Sequence, residues 1–430
     1  MESAVACRAA PDQGQDVFVN KAPLYKPLWG RGAFGGAVLA QALSAAQATV
    51  PDGFVADTMH CHFFIAVKPD EPFYSHVERL RDGKSIATRS VRCMQFGKCT
   101  FSAILNFGRI AGRGPRMLEH QPESPISTTT VASIRNGEVS PTSQVDAECP
   151  FESIRVRGKR EDGHKRHELQ RIVQMTKAKF SAAQNTGEKR DVAQHQAALA
   201  YMTDNFFLGT VPRVHKAYRF GNQSFVKTVL GNIDESQHKA VTERFKVLAE
   251  EERADAASRT PEGGGTDTKK MPSNIGMMVS LDHSIFFHNQ DLVKADDWMV
   301  MEMETPWAGQ DRGLGELASS GATSHLGRIG LLETTSFDSR IIPKPTSLGN
   351  LLVAQLSILL SISTLVHRHH GGTAQAKVVL QGNVDVIDEA VVGPAAELPD
   401  QFRALRESRG AQGVPLEISP PEGLTTTRPP

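Results

Sequence analysis

The sequence of residues 33–50 is AFGGAVLAQALSAAQATV, a stretch without a charged residue. Ala, Leu and Gln favour a helix because they lose little side-chain freedom in it. A helix that is apolar on nearly every side is normally buried. Gly35-Gly36 would open the helix and permit close approach of backbone or ligand, and Pro51 would end it. The stretch therefore predicts a buried central helix around which the chain is organised.

Four predicted strands follow this helix. Residues 58–67 are rich in β-branched and aromatic side chains, and residues 85–95 alternate like a strand with one solvated face. An Asp-Gly pair before the third strand predicts a tight turn, because it tolerates positive φ. The four predicted strands are residues 58–67, 73–80, 85–95 and 99–107. Such an antiparallel sheet would curl round the helix and bury it.

The same order of elements starts again in the second half. Residues 193–208 predict a second apolar helix, which differs from the first in carrying Asp204 in its middle. Further strands are predicted at 151–157, 275–288 and 297–305.

A short signature also recurs. His60 is followed by Phe63-Phe64, and His283 by Phe286-Phe287. Together with the repeated order of helix and strands, this signature indicates an internal duplication.

Four segments are predicted to lie outside this plan. Residues 1–22 are polar and expected to be flexible, and residues 109–149 have the Gly, Pro, Ser and Thr content of a linker. The charged residues 158–190 predict a solvated helix or loop. Residues 231–274 are too charged and Gly-rich to bury a core, which predicts a disordered insertion.

The end of the chain does not complete the repeat in this interpretation. Two further strands are expected at 312–335, but residues 314–328 are rich in Gly and Ser and do not alternate. The second half is therefore predicted to end at residue 315. Residues 316–430 are expected to form an atypical tail, either disordered or the product of a mis-spliced or frame-shifted gene. Its apolar run 351–366 is too short and polar for a membrane span.

Composition narrows the classes of function. The 430 residues include 48 basic and 48 acidic side chains, which gives no reason to expect a nucleic-acid partner. Five cysteines show neither zinc spacing nor an even disulfide set, which favours a reducing compartment. The N-terminus has no apolar signal core. His367, His369 and His370 lack acidic or Cys partners, so no metal site is predicted.

Asp204 is the first candidate for chemistry. A carboxylate in an apolar helix is unfavourable unless it is paired or hydrogen-bonded. One interpretation is an Asp at a helix end or facing solvent. The other is a general base or a group that orients water.

Ser280, Asp282 and His283 lie close together, but a Ser-His-Asp triad is rejected. Triad members meet across a fold and are rarely sequence neighbours, and the chain has no Gly-x-Ser-x-Gly elbow. On a regular strand, Ser280 and Asp282 would share one face and His283 would take the other. Residue type alone favours a structural hydroxyl at Ser280.

Six motifs, in order, resemble the acyl-CoA thioesterase II family of bacteria and peroxisomes. They are FGGAVLAQAL at 34–43, VERLRDGKS at 77–85, LEHQ at 118–121, YMTD at 201–204, VSLDHS at 279–284 and ETPWAG at 304–309. The resemblance covers about residues 25–315. It implies an α+β double-hotdog fold, in which two helices are each wrapped by a curved antiparallel sheet. The hotdog domains would span 23–108 and 150–315.

The resemblance also implies a function. Family members hydrolyse acyl-CoA to free fatty acid and CoA with no metal or organic cofactor, and use an Asp, a Ser or Thr, and a Gln to hold and activate water. By resemblance, Asp204 is the Asp and Ser280 is the hydroxyl. The substrate-binding candidates are Gly35, Gly36, His60 and His283.

The chain departs from the family at two places. The family's Gln stands in a Gln-Glu-Gly motif of a late strand, where residues 327–333 read GRIGLLE. The chain also lacks a C-terminal Ser-Lys-Leu, which is a peroxisomal targeting signal. The resemblance still implies a peroxisomal location, and a cytoplasmic location is the alternative.

Two alternatives stay open beside hydrolysis. A non-catalytic acyl-CoA-binding or dimerisation module would fit a degenerate paralogue without the Gln. An enoyl-thioester hydratase is less favoured, because the Asp/His pair such enzymes use occurs only as adjacent Asp282-His283. A homo-oligomer is expected in each case.

Overall fold

The computed structural model describes residues 1–27, 30–110, 126–139, 149–156, 166–181, 192–205, 207–217, 220, 222–258, 277–288, 290, 294–321 and 329–338, the last range for its backbone alone. The chain divides into two compact units, Met1–Lys344 and Pro345–Pro430. The second unit lies outside the described residues, as do the run at 351–366 and the three histidines after it.

Twelve strands of the first unit form one antiparallel sheet. Their order is β1-β2-β4-β5-β6-β3-β9-β12-β11-β10-β8-β7. The strands are β1 Cys7–Ala9, β2 Val17–Asn20, β3 Phe54–Phe63, β4 Tyr74–Asp82, β5 Ile86–Gln95, β6 Lys98–Arg109, β7 Phe151–Val156, β8 Arg171–Ala178, β9 Met277–Phe287, β10 Met299–Gly309, β11 Arg312–Gly321 and β12 Ile329–Asp338. The order reads as two matching halves that meet at β3 and β9.

Seven described helices accompany the sheet. They are α1 Glu2–Val5, α2 Gly35–Gln47, α3 Thr128–Arg135, α4 Val192–Thr203, α5 Thr210–Val214, α6 Gln223–Leu230 and α7 Glu235–Ser258. Helices α2 and α4 pack against each other, and both belong to one hydrophobic core with the inner face of the sheet. The predicted buried helix is thus α2, and α4 is its counterpart. Among the described helices, none is long and apolar enough to cross a membrane.

The duplication is visible at the junction of β3 and β9. Their ladder is centred on His60 opposite Ser284. Each strand carries a bulge, with Asp57 as the extra residue in β3 and Leu281 in β9. Because His60 and Ser284 each lie three residues beyond their bulge, an approximate twofold axis passes between them.

The His and Phe-Phe signature in the sequence aligns the two halves with an error of one residue. Counting from the bulges, the equivalent of His283 is Met59, not His60. Met59 and His283 are both 0% exposed on the inner face, whereas His60 is exposed on the outer face. The two histidines therefore lie on opposite faces of the sheet.

The second half of the sheet is complete, which corrects the predicted boundary at 315. Strands β11 and β12 pair with each other and with β10 and β9. Glycine at position 315 of β11 leaves room for the ring of Phe207, from which a Cβ would lie only 2.9 Å away. This packing removes the alternation by which strands are recognised in sequence. The predicted tail thus begins no earlier than residue 339, outside the described residues.

Strand β8 lies within the segment predicted to be a solvated helix or loop. The sequence does not reveal this strand because some of its buried side chains are polar. These side chains form hydrogen bonds inside the fold. Gln174 donates to the Asn205 carbonyl at 3.0 Å, and Thr176 donates to the Glu152 carbonyl at 2.9 Å. Residues 158–165 and 182–190 of the same segment lie outside the described residues.

Three other predicted irregular segments contain ordered elements. In residues 1–22, α1 packs on α2 and α4, and Gln41 donates to the carbonyls of Ala4 and Ala6. The predicted linker contains α3, which Ser127 caps at its N-terminus. The predicted insertion contains α7, which packs on α6 through a cluster of its own: Phe225, Val229, Val241, Phe245 and Leu248. In α3 and α7 the surrounding polar residues hid a small apolar stripe.

Candidate active site

Asp204 lies where the two halves touch. Helix α4 ends at Thr203, so the prediction that Asp204 lies in the middle of the helix is wrong. The amide N–H of Gly36, in the first turn of α2, donates to Asp204 Oδ2 at 3.0 Å. Phe34, the N-cap residue of α2, offers no side-chain acceptor. The carboxylate therefore satisfies a helix N-terminus, whose dipole favours negative charge.

The glycine pair permits this contact. A Cβ at Gly36 would lie 2.0 Å from the Tyr201 carbonyl oxygen, and one at Gly35 would lie 2.8 Å from Asp204 Oδ2. Only glycine allows the start of α2 to approach the end of α4 so closely. Gly35 and Gly36, predicted to bind substrate, are placed beside the candidate carboxylate.

His283 lies behind the carboxylate in the protein interior. Its ring is 0% exposed, its Nε2 is 3.3 Å from Thr203 Oγ1, and it meets Phe207 edge-on. Burial lowers the pKa of the imidazole to about 4, although the carboxylates of Asp204 and Asp282 act in the opposite direction. The ring is therefore neutral at pH 7 and provides no counter-charge for Asp204.

The bulge in β9 determines which way Ser280 faces. Leu281 is the extra residue, so Ser280 lies opposite Thr335 while Asp282 lies opposite Thr334. A bulge shifts the alternation of faces by one residue. Ser280 consequently shares the inner face with His283, and the expectation that it shares a face with Asp282 is wrong.

The first half shows the same arrangement without polar groups. Ala56 precedes the bulge in β3 as Ser280 precedes the bulge in β9, and Met59 stands where His283 does. At these two positions β9 carries a hydroxyl and an imidazole, whereas β3 carries neither.

His60 is separated from this group. It lies on the outer face, where its Nδ1 is 2.9 Å from Ser284 Oγ and its ring meets Phe286 edge-on. The structure thus brings Asp204, Gly35, Gly36 and His283 together on the inner side, with Ser280 on the same face of β9. It does not bring His60 to them.

Thr203 is the polar neighbour that sequence reasoning missed. Its hydroxyl donates to the Ala200 carbonyl at 2.8 Å and lies beside the His283 ring. Strand β12, IGLLETTSFD, contains no glutamine. Glu333 holds the register position opposite His283. Among the described residues, no group of three or more His, Cys, Asp or Glu is arranged to hold a metal ion.

Two family profiles match the chain. The profile described as an acyl-CoA thioesterase N-terminal domain matches residues 25–108, and the one described as an acyl-CoA thioesterase C-terminal domain matches residues 138–318. Together they cover more than half of the sequence and span both halves of the sheet.

Curated relatives carry related names. Acyl-coenzyme A thioesterase 8 of Homo sapiens is 27% identical over 292 residues, which are 65% of this chain and 73% of the relative. The Rattus norvegicus protein of the same name is 26% identical over 292 residues, 65% of this chain and 72% of the relative. Peroxisomal acyl-coenzyme A thioester hydrolase 1 of Saccharomyces cerevisiae is 29% identical over 103 residues, 24% of this chain and 30% of the relative.

A solved structure supports the fold. The acyl-CoA thioesterase II TesB2 of Mycobacterium marinum superimposes with a TM-score of 0.51 at 19% sequence identity, covering 80% of this chain and 98% of that one. The predicted α+β double-hotdog class is confirmed.

Proposed function

Because the chain belongs to the acyl-CoA thioesterase II family, we propose that it hydrolyses fatty acyl-CoA with a water molecule that Asp204 and Ser280 hold. Thioester hydrolysis is the activity that the family assigns to the chain. The observation that carries the residue assignment is the hydrogen bond from Gly36 to Asp204, which fixes a carboxylate where the two halves meet.

The proposed reaction uses the two side chains that the family resemblance assigns. The Asp204 carboxylate accepts a proton from water as the water oxygen attacks the thioester carbonyl carbon. The Ser280 hydroxyl, which can both donate and accept, holds the same water. Collapse of the tetrahedral intermediate breaks the carbon–sulfur bond, and the thiolate of CoA takes the proton back. The products are one carboxylic acid and one thiol for each water consumed.

A neutral His283 suits this role of Asp204. A protonated imidazole beside the carboxylate would stabilise its charge and weaken it as a base. Burial keeps the ring neutral at pH 7, and the group that donates to Asp204 Oδ2 at 3.0 Å, the Gly36 amide, is also uncharged.

Replacing Ser280 by Ala is expected to lower kcat about 10-fold, because one hydrogen bond to the attacking water is worth about 1.4 kcal/mol. The fold should tolerate the change, since Ala56 fills the equivalent position in β3 and is buried there. Thiol release from a series of acyl-CoA chain lengths measures the effect.

Ser284→Ala is the matched control for that substitution. Ser284 lies on the same strand but contacts His60 on the outer face. It should retain full turnover. Equal losses in the two variants would show that any polar deletion in β9 disturbs the enzyme, and would remove Ser280 from the mechanism.

The name of the yeast relative supports a peroxisomal location for this chain as well. The full chain with an N-terminal fluorescent tag is expected to co-localise with a peroxisomal marker. A uniform cytosolic signal would contradict this location. The predicted homo-oligomer stays a prediction.

A further inference from the structure

The contact between His283 and Thr203 has a defined direction. Thr203 has one hydroxyl proton, and it is donated to the Ala200 carbonyl at 2.8 Å. The hydroxyl can therefore only accept in its 3.3 Å contact with His283 Nε2. It follows that Nε2 carries the ring proton and Nδ1 does not. One tautomer of a neutral imidazole thus ties β9 to the last residue of α4.

That tie lies next to the candidate base. Thr203 ends α4, and Asp204 is the next residue in the chain. From the other side, the Gly36 amide holds the Asp204 carboxylate at 3.0 Å. The last turn of α4 is therefore fixed against β9 behind Asp204 and against α2 in front of it. A carboxylate that must point at one water needs both restraints.

The first half lacks the imidazole at the equivalent position of its sheet. Met59 takes the place of His283 there. Met59 is 0% exposed, like His283. A thioether is thus sufficient to fill this inner position and stabilise a hotdog. The imidazole in β9 adds a directed hydrogen bond, which packing alone does not require.

We infer that His283 is a positioning residue, whose neutral imidazole donates from Nε2 to Thr203 and thereby orients Asp204 for water activation. The inference rests on the proposed function of Asp204. It assigns His283 no contact with the acyl-CoA, which differs from the substrate-binding role predicted from the sequence. Because the imidazole acts through Thr203, it should affect the chemical step and leave substrate binding unchanged.

His283→Met and His283→Gln test this inference as a pair. Methionine is the residue that the first half tolerates at the equivalent position, so His283→Met is expected to fold. Its kcat should fall about 10- to 100-fold, the cost of a misplaced catalytic group, with KM within about twofold. The Gln side chain carries an amide donor near the Nε2 position, and it should restore most of the lost kcat.

Thr203→Val removes the acceptor and should lower kcat as His283→Met does. The double variant should be no slower than either single one, because both break the same bond. Independent, multiplying losses would overturn the inference, as would a His283→Met enzyme with normal kcat or a His283→Gln enzyme as slow as His283→Met.

A measurement independent of turnover separates this inference from the proposed function. In ¹⁵N-histidine NMR of the full chain, the signals lost in His283→Met should show a protonated Nε2 and an unprotonated Nδ1. The opposite tautomer would overturn the inference even if Asp204 is the base. If instead the tautomer is as expected but Asp204→Asn retains turnover, the proposed function fails. The hydrogen bond from His283 to Thr203 would then have no role in catalysis.

Discussion

Asp204→Asn is expected to lower kcat for acyl-CoA hydrolysis by about 10²- to 10⁴-fold, the usual contribution of a positioned general base. Asparagine keeps an oxygen that can accept from the Gly36 amide at the observed position. The variant therefore loses basicity and negative charge while retaining the contact. KM should change little, because the uncharged amide leaves the shape of the site intact.

The stability of that variant provides a second check. Loss of one negative charge at the N-terminus of α2 is expected to cost about 0.3–1 kcal/mol of unfolding free energy. Asp52→Asn, at an exposed carboxylate, is the matched control and should leave both turnover and stability unchanged. Normal turnover in Asp204→Asn would remove Asp204 from the mechanism.

Gly36→Ala is expected to be the most destabilising single-methyl change in this region. On helix propensity alone, alanine would be favoured over glycine by about 1 kcal/mol. Here its Cβ would lie 2.0 Å from the Tyr201 carbonyl oxygen and 2.5 Å from Phe34 Cε1. Relief requires α2 and α4 to separate, so the free energy of unfolding should fall by about 3 kcal/mol in denaturant titration.

Turnover should fall together with stability in Gly36→Ala, since the amide that holds Asp204 must move. Gly231→Ala is the matched control, because its Cβ would meet only ordinary contacts, the nearest the Lys227 carbonyl at 3.4 Å. If Gly36→Ala is as stable and active as Gly231→Ala, the close approach of the two helices is not needed for the site.

Elements could be predicted from the sequence where a single physical requirement, such as burial or close approach, determines the local residue pattern. The uncharged run of α2 predicted burial on all sides, and the glycine pair predicted close approach, which Tyr201 and Asp204 now explain. Regular alternation likewise predicted β5. In these elements local pattern and tertiary role agree, so the pattern is sufficient.

Prediction failed where long-range packing replaced the local pattern. Gly315 lies in β11 because Phe207 occupies the space of a side chain, and Gln174 is buried in β8 because a distant carbonyl accepts from it. The single extra residue Leu281 reversed the face of Ser280. No local rule anticipates a bulge, so the relation between Ser280 and His283 needed the sheet register.

In the proposed reaction, water activated at Asp204 attacks the thioester without a covalent intermediate. A single turnover of fatty acyl-CoA in H₂¹⁸O, with mass analysis of the released acid, tests this step. We expect one ¹⁸O atom in the acid from the first turnover, and no acid in the same time with Asp204→Asn. Unlabelled acid would indicate attack by the carboxylate itself, and bound acyl-CoA without release of acid or thiol would indicate a non-catalytic binding module. Either result would rule out hydrolysis by water activated at Asp204.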